Sequence, residues 1–216
     1  MKNKKWILFD LDGTLTESGI GITNSVKYAL KKFGIEENDY DVLKRFIGPP
    51  LIDAFMEIYG FSKEDAKKAV SYYREYYRET GLFENAVYSG IVKLLTTLKD
   101  AGKTLFIATA KPDDFSMRIL KHFDLAKYFS FFACATFDGT RLTKDDVISY
   151  AITEGNITDV SQAVMIGDRK QDILGAKAFN MDSVGVLYGY GSREELETAG
   201  VDYIAETADD ILELLI

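Results

Sequence analysis

The chain has 216 residues, 47% hydrophobic and 28% charged, a balance that excludes disorder, collagen-like repeats and a coiled-coil rod. Lys and Arg total 26 against 34 Asp and Glu, and the net charge of −8 argues against broad contact with a nucleic-acid backbone or an anionic membrane surface. Any phosphate must therefore be held by local cations. A chain this long buries roughly two thirds or more of its unfolded surface, so it needs neither a disulfide nor a structural metal to fold. The lone Cys134, inside the apolar run FFACA, reads as a small buried hydrophobe. The segment MKNKKWILFDLDGT has only four apolar residues before its acidic pair and lacks the h-region of a secretory signal, and no later run reaches the roughly twenty apolar residues of a membrane span. A soluble, cytoplasmic protein is expected.

In chain order, the first apolar run, Trp6 to Phe9, is too short for a helix and fits a strand buried on both faces. From about Gly19 to Thr80 only helical periodicity appears, in segments near Thr23 to Phe33, Val42 to Phe46, Leu51 to Tyr59 and Lys63 to Glu79. Ser62 with Asp65 gives the last of these a capping-box-like start. Gly48-Pro49-Pro50 interrupts the helices with a loop. Strands and helices then alternate. Thr104 to Ala108, Phe129 to Ala135, Ala163 to Ile166, Ser183 to Leu187 and Asp202 to Ala205 fit strands. Ile91 to Asp100, Pro112 to Phe123, Lys144 to Glu154, Gln171 to Phe179, Arg193 to Ala199 and Ala208 to Leu215 fit helices. This alternation predicts an α/β fold, a parallel sheet with helices on both faces, carrying a helical insert.

Asp10 and Asp12 follow the first strand, and residues two apart in extended chain point to one side. Two carboxylates so close repel, a conflict that a hard divalent cation or protonation of one member relieves. Gly13 and Thr14 permit a tight turn and offer donors to an anion. By itself DLDGT fits an acidic turn equally well. Its weight comes from polar residues at the ends of later strands: Thr109 after LFIA, and Asp168 after AVMIG with Asp172 one helical turn on. In a parallel sheet those ends share one edge, where open α/β folds bind ligands. Lys144 opens a helix, where the dipole disfavours a cation, and a charge placed against local preference beside acids points to a ligand.

DLDGT, a Thr after the second strand, a Lys, and GDRKQD in this order resemble the haloacid dehalogenase superfamily of phosphotransferases over essentially the whole chain. The resemblance implies a Rossmann-like core, residues 1–16 and 83–216, and an inserted all-helical cap, residues 17–82. It implies Asp10 as a nucleophile that forms an aspartyl-phosphate and Asp12 as general acid, then base. Thr109, Ala110 and Lys144 resemble the phosphate-binding set. Asp10, the backbone carbonyl of Asp12 and Asp168 look like Mg²⁺ ligands, and Asp172 corresponds to a second acid that binds metal through water or orients Lys144. An acid at Asp12 is not what a dehalogenase needs.

LKRFIGPPL and GVLYGYGSREEL resemble phosphoglycolate phosphatase-like members, so the expected partner is a small phosphorylated metabolite, with no nucleic acid and no membrane, and the chain a monomer or homodimer. Phosphoglycolate is the first candidate substrate, nucleoside 5′-monophosphates close behind, and a sugar-phosphate mutase ranks lower. Arg45 and Gly48 are candidate cap contacts to substrate, the alternative for Arg45 being a helix C-terminal cap. A signalling receiver domain also gathers acids, a Thr or Ser and a Lys around Mg²⁺, but its phosphorylated Asp follows an internal strand and lacks the acid two residues on. Tyr72, Tyr73, Tyr76 and Tyr77 fit helix packing, His122 a helix end, and Gly189 and Gly191 a shaped loop.

Overall fold

The computed structural model describes all of residues 1–216. The chain divides into two compact units, one built from Met1–Thr16 with Val87–Ile216 and the other from Glu17–Ala86.

The first unit is organised by a six-stranded parallel sheet of order β3-β2-β1-β4-β5-β6. Its strands are β1 (Trp6–Phe9), β2 (Thr104–Pro112), β3 (Phe131–Ala135), β4 (Ala163–Gly167), β5 (Asp182–Val186) and β6 (Tyr203–Ala205). Every residue of β1 and β4 is buried. Side chains alternate between the two faces of a strand, so both faces are covered, which is why these runs are apolar throughout rather than alternating. Trp6, Leu8, Phe106, Ala133, Met165 and Val147 share one apolar cluster, each large member worth roughly 1.5–3 kcal/mol of burial. Numbering the helices through the whole chain, this unit holds α5 (Ile91–Asp100), α6 (Asp113–His122), α7 (Lys144–Glu154), α8 (Lys170–Ala178), α9 (Arg193–Ala199) and α10 (Ala208–Leu215). The strand order reverses between β1 and β4, and such a switch point leaves a crevice at the strands' carboxyl ends.

The second strand runs four residues beyond its expected end at Ala108. Its pairing with β3 steps from Thr109↔Cys134 to Pro112↔Ala135, so the strand bulges between Thr109 and Pro112. Helix α7 starts at Lys144 because Thr143 caps it: the Thr143 hydroxyl accepts from the Asp146 amide at 3.2 Å, and Asp146 accepts from the Thr143 amide at 2.9 Å.

The second unit is helical: α1 (Gly19–Lys31), α2 (Tyr40–Leu43), a 3₁₀ turn (Lys44–Phe46), α3 (Leu51–Tyr59), α4 (Lys63–Tyr76) and a π-helical turn (Tyr77–Gly81). Ser62 caps α4 by accepting from the Asp65 amide at 3.0 Å. The unit runs to Ala86 rather than 82. Glu84 explains the difference, since its carboxylate accepts from Asn24 at 3.0 Å and from the Tyr76 hydroxyl at 3.0 Å. The tyrosines pack: Tyr72 meets Phe33 edge-on, Tyr76 lies against Tyr28, and Tyr73 stacks on Tyr77. No helix of the molecule is long and apolar enough to cross a membrane.

Candidate active site

Asp10 and Asp12 leave β1, Thr109 lies in β2, and Asp168 follows β4, so three strands deliver polar groups to the switch-point edge. Lys144 arrives from the first turn of α7 and Asp172 from the first turn of α8. The Lys144 ammonium is 2.8 Å from Asp10 Oδ1 and 2.7 Å from Asp172 Oδ1, and it donates to the Ala108 carbonyl at 2.9 Å. Burial works against its charge, but the Asp10 and Asp172 carboxylates outweigh it and hold its pKa above the ordinary value.

Asp10, Asp168 and Asp172 are all buried, with ligand oxygens within 4.8 Å of one another. Burial first, then the charges of Asp172 and Asp10, push Asp168 well above the usual carboxylate range, against the Tyr190 amide and Arg169. Asp172 is pushed up to about 6 by burial, with Lys144 pulling it down. Three acidic groups thus share this space with one buried ammonium. One oxygen of Asp168 accepts from the Tyr190 amide at 2.8 Å, while Oδ1 is buried with no partner among the protein's atoms. A buried carboxylate oxygen without a donor is costly, and hard oxygen donors of this kind suit a divalent cation, so these residues fit a metal centre.

Glycines pack the site to this density. Gly13 has φ +82°, and a Cβ there would lie 2.2 Å from Asp168 Oδ2. The loop after β5 closes on the same residue: a Cβ on Gly189 would sit 2.4 Å from Asp168 Cβ, and one on Gly191 1.9 Å from the Asp168 carbonyl. Tyr188 extends the contact, its hydroxyl donating to the Thr14 carbonyl at 3.1 Å. Glu195 steadies the GDRKQD segment by pairing with Arg169 Nε at 2.8 Å and accepting from the Lys170 amide at 2.9 Å. The expected shaping of a loop by Gly189 and Gly191 thus takes a definite form, a wall against Asp168.

Thr109 is buried at the bulge and Ala110 is exposed beside it. The Thr14 hydroxyl is buried without a protein partner. Lys111 is a charge that sequence reasoning passed over: its ammonium reaches Asp12 Oδ2 at 2.5 Å. The available signal was a second lysine two residues beyond Thr109. Arg45 and Gly48 belong to the helical unit. Arg45 is half exposed and pairs with Glu57 at 3.1 Å. Cys134 is buried, and burial pushes its thiol up to about 11, the inert environment expected for it.

An open parallel sheet with a carboxylate and lysine cluster at its switch point can hold a cation and a phosphate group side by side, as phosphate-handling α/β proteins do. Residues 7–186 match the model of the haloacid dehalogenase-like hydrolases, and the chain belongs to that family as a phosphatase. A Pseudomonas aeruginosa protein named 5′-nucleotidase is 45% identical over 190 residues, covering 88% of this chain and 86% of its own. A Mycobacterium tuberculosis protein named tyrosine-protein kinase PtkA is 35% identical, over 97% of this chain and 72% of its own. A Colwellia psychrerythraea phosphoglycolate phosphatase is 30% identical, over 98% and 97%. The solved structure of a predicted phosphatase from Clostridium acetobutylicum is similar with a TM-score of 0.93 and 50% identity, over 98% of this chain and 97% of that one.

Proposed function

We propose that this chain hydrolyses small soluble phosphate monoesters in a Mg²⁺-dependent reaction that passes through a phosphoryl group carried on Asp10. The observation that carries the reading is the Lys144 ammonium set between Asp10 and Asp172, with Asp168 alongside. Asp10, the backbone carbonyl of Asp12 and Asp168 would hold the ion, with Asp172 orienting Lys144. Bound there, Mg²⁺ supplies positive charge to the transferring phosphoryl group.

The residues then divide the work. Lys144 fixes one oxygen of Asp10 and neutralises the phosphoryl oxygens together with donors at Thr109 and Ala110. The carboxylate of Asp10 attacks phosphorus as the ester P–O bond breaks, and Asp12 gives a proton to the departing oxygen. Asp12 next takes a proton from water, whose oxygen attacks the same phosphorus, breaking the bond to Asp10 and releasing inorganic phosphate. Splitting one displacement into two lets a single acid serve both directions of proton transfer. Choice of leaving group is assigned to the helical unit, with Arg45 and the Gly48 loop its first candidates.

Nucleoside 5′-monophosphates are the first substrates to test, because the 45% identical relative carries the name 5′-nucleotidase; phosphoglycolate comes second. The test is phosphate release from a panel of both classes and sugar phosphates, with Mg²⁺ and with chelator, comparing the parent and Asp10→Asn. Metal-dependent release that Asp10→Asn abolishes is expected. Release that survives in Asp10→Asn, or no release from a folded parent, rejects the reading.

A further inference from the structure

We infer that Lys111 is a positioning residue for Asp12, holding one carboxylate oxygen so that the other faces the reaction; the inference rests on the phosphatase reading above. The geometry is specific. Lys111 Nζ lies 2.5 Å from Asp12 Oδ2, with the two side chains 7% and 19% exposed. The second oxygen of Asp12, Oδ1, is buried and has no partner among the protein's atoms. An acid that must give and then retrieve a proton needs one oxygen fixed and one available, and this arrangement supplies both.

The backbone supplies the aim. An unbroken β2 would send Thr109 and Lys111 to one face in strict alternation, but the step in pairing between Thr109↔Cys134 and Pro112↔Ala135 re-directs the chain where Lys111 leaves it. The Thr109 hydroxyl accepts from the Lys111 amide at 3.3 Å, tying the two residues within the bulge. The Ser116 hydroxyl, one helical turn into α6, donates to the Lys111 carbonyl at 3.2 Å and fixes the bulge from its other side. Lys111 is thus built into the edge that carries Asp10, distinct from Lys144, which pairs with Asp10 and Asp172 and donates to the Ala108 carbonyl. Without that tether Asp12 is free to rotate about its side-chain bonds, and small displacements of an acid or base cost rate steeply.

The test uses the full chain with Mg²⁺ and two aryl esters, p-nitrophenyl phosphate and phenyl phosphate. Nitrophenolate leaves without help, whereas phenolate needs the proton from Asp12; both esters need Asp12 to activate water in the second step. Lys111→Gln is expected to lower kcat on phenyl phosphate by ~10- to 100-fold, within the range of general acid–base effects, with KM little changed. On p-nitrophenyl phosphate it is expected to show a rapid first turnover followed by slow ones, because the phosphoryl group stays on Asp10. Lys111→Arg should recover most of the loss. A raised KM with kcat retained overturns the inference, as that is a substrate contact. Equal losses on both esters without a burst overturn it too. Lys111→Met is the second neutral variant; failure of both neutral variants to fold, with Lys111→Arg stable, makes the pair merely structural and likewise overturns it. A folded parent without turnover rejects the phosphatase reading and this inference together, whereas a parent inactivated by Asp10→Asn confines any failure to Lys111.

Discussion

Replacing Lys144 with Met tests the charge balance of the site most directly, because it keeps the side chain's length and removes its ammonium. The parent places that ammonium 2.8 Å from Asp10 and 2.7 Å from Asp172, with Lys144 itself buried. Removing one partner of a buried pair costs about 3–5 kcal/mol, since the partner charge is left uncompensated. At ~2–4 °C per kcal/mol for a chain of this size, the melting temperature of the sheet unit in chelator is expected to fall by ~6–20 °C. Asp172 shortens the fall. It already sits near 6 with Lys144 pulling it down, so without Lys144 it takes up a proton and sheds its charge. Mg²⁺ should then protect the variant, by ~2.7 kcal/mol at a hundred times its Kd. Phosphate release should drop by about 10²–10³, the usual effect of deleting one group that stabilises transition-state charge. Scanning calorimetry in chelator and in Mg²⁺ reads the first two effects and a phosphate assay the third. A variant that melts with the parent in chelator would refute the reasoning, because the Lys144 pairs would then contribute nothing to the folded state.

Two further outcomes follow from the same carboxylates. In chelator, Asp168 and Asp172 hold protons that an unfolded chain releases near pH ~4, so their contribution is fully present below that value and is lost as pH rises through about 6 for Asp172 and higher for Asp168. The urea midpoint of the metal-free protein should therefore rise on going from about pH 7.5 to about pH 5.5, before Asp138, Asp146, Asp159 and Asp210, all held low, begin to protonate; a midpoint that falls across that interval contradicts the assignment. Gly13→Ala puts a methyl 2.2 Å from Asp168 Oδ2 at φ +82°, and should weaken Mg²⁺ binding by more than ~10-fold in calorimetry, with ~1–2 kcal/mol of backbone strain besides. Unchanged affinity would mean that Asp168 is not a ligand.

The sheet was legible because buried parallel strands must be apolar on both faces, so Trp6–Phe9 and Ala163–Gly167 stand out from the polar helices around them. Helix α7 was expected at Lys144 to Glu154 and lies there, and the structure adds the capping pair Thr143 and Asp146 that starts it. The order Asp10, Thr109, Lys144, Asp168 carried the site because each falls where a strand or helix end had been expected. What escaped was set by pairing rather than by composition. A strand expected to end at Ala108 hid the bulge that aims Lys111, and a bulge is fixed by the neighbour β3, whose register no local pattern records. The wall that Gly189 and Gly191 form against Asp168 joins residues about twenty apart in sequence through packing alone, so a turn was all that could be read there. The π-helical turn at Tyr77–Gly81 departs from the 3.6-residue period and truncated an expected longer helix.

The central position of β1 has a consequence for how the molecule is made. Trp6 pairs with Thr104 on one side and with Ala163 on the other. At roughly 5–20 residues per second of synthesis, the strand bearing Asp10 and Asp12 waits about 5–20 s for its first neighbour and about 8–31 s for its second. Through that interval WILF is an apolar ribbon with both edges open, the sort of segment that nascent-chain holdases shield. The helical unit, complete by Ala86, emerges wholly within the wait. Asp10 thus emerges well ahead of Lys144, Asp168 and Asp172, the residues whose side chains it meets in the folded sheet unit.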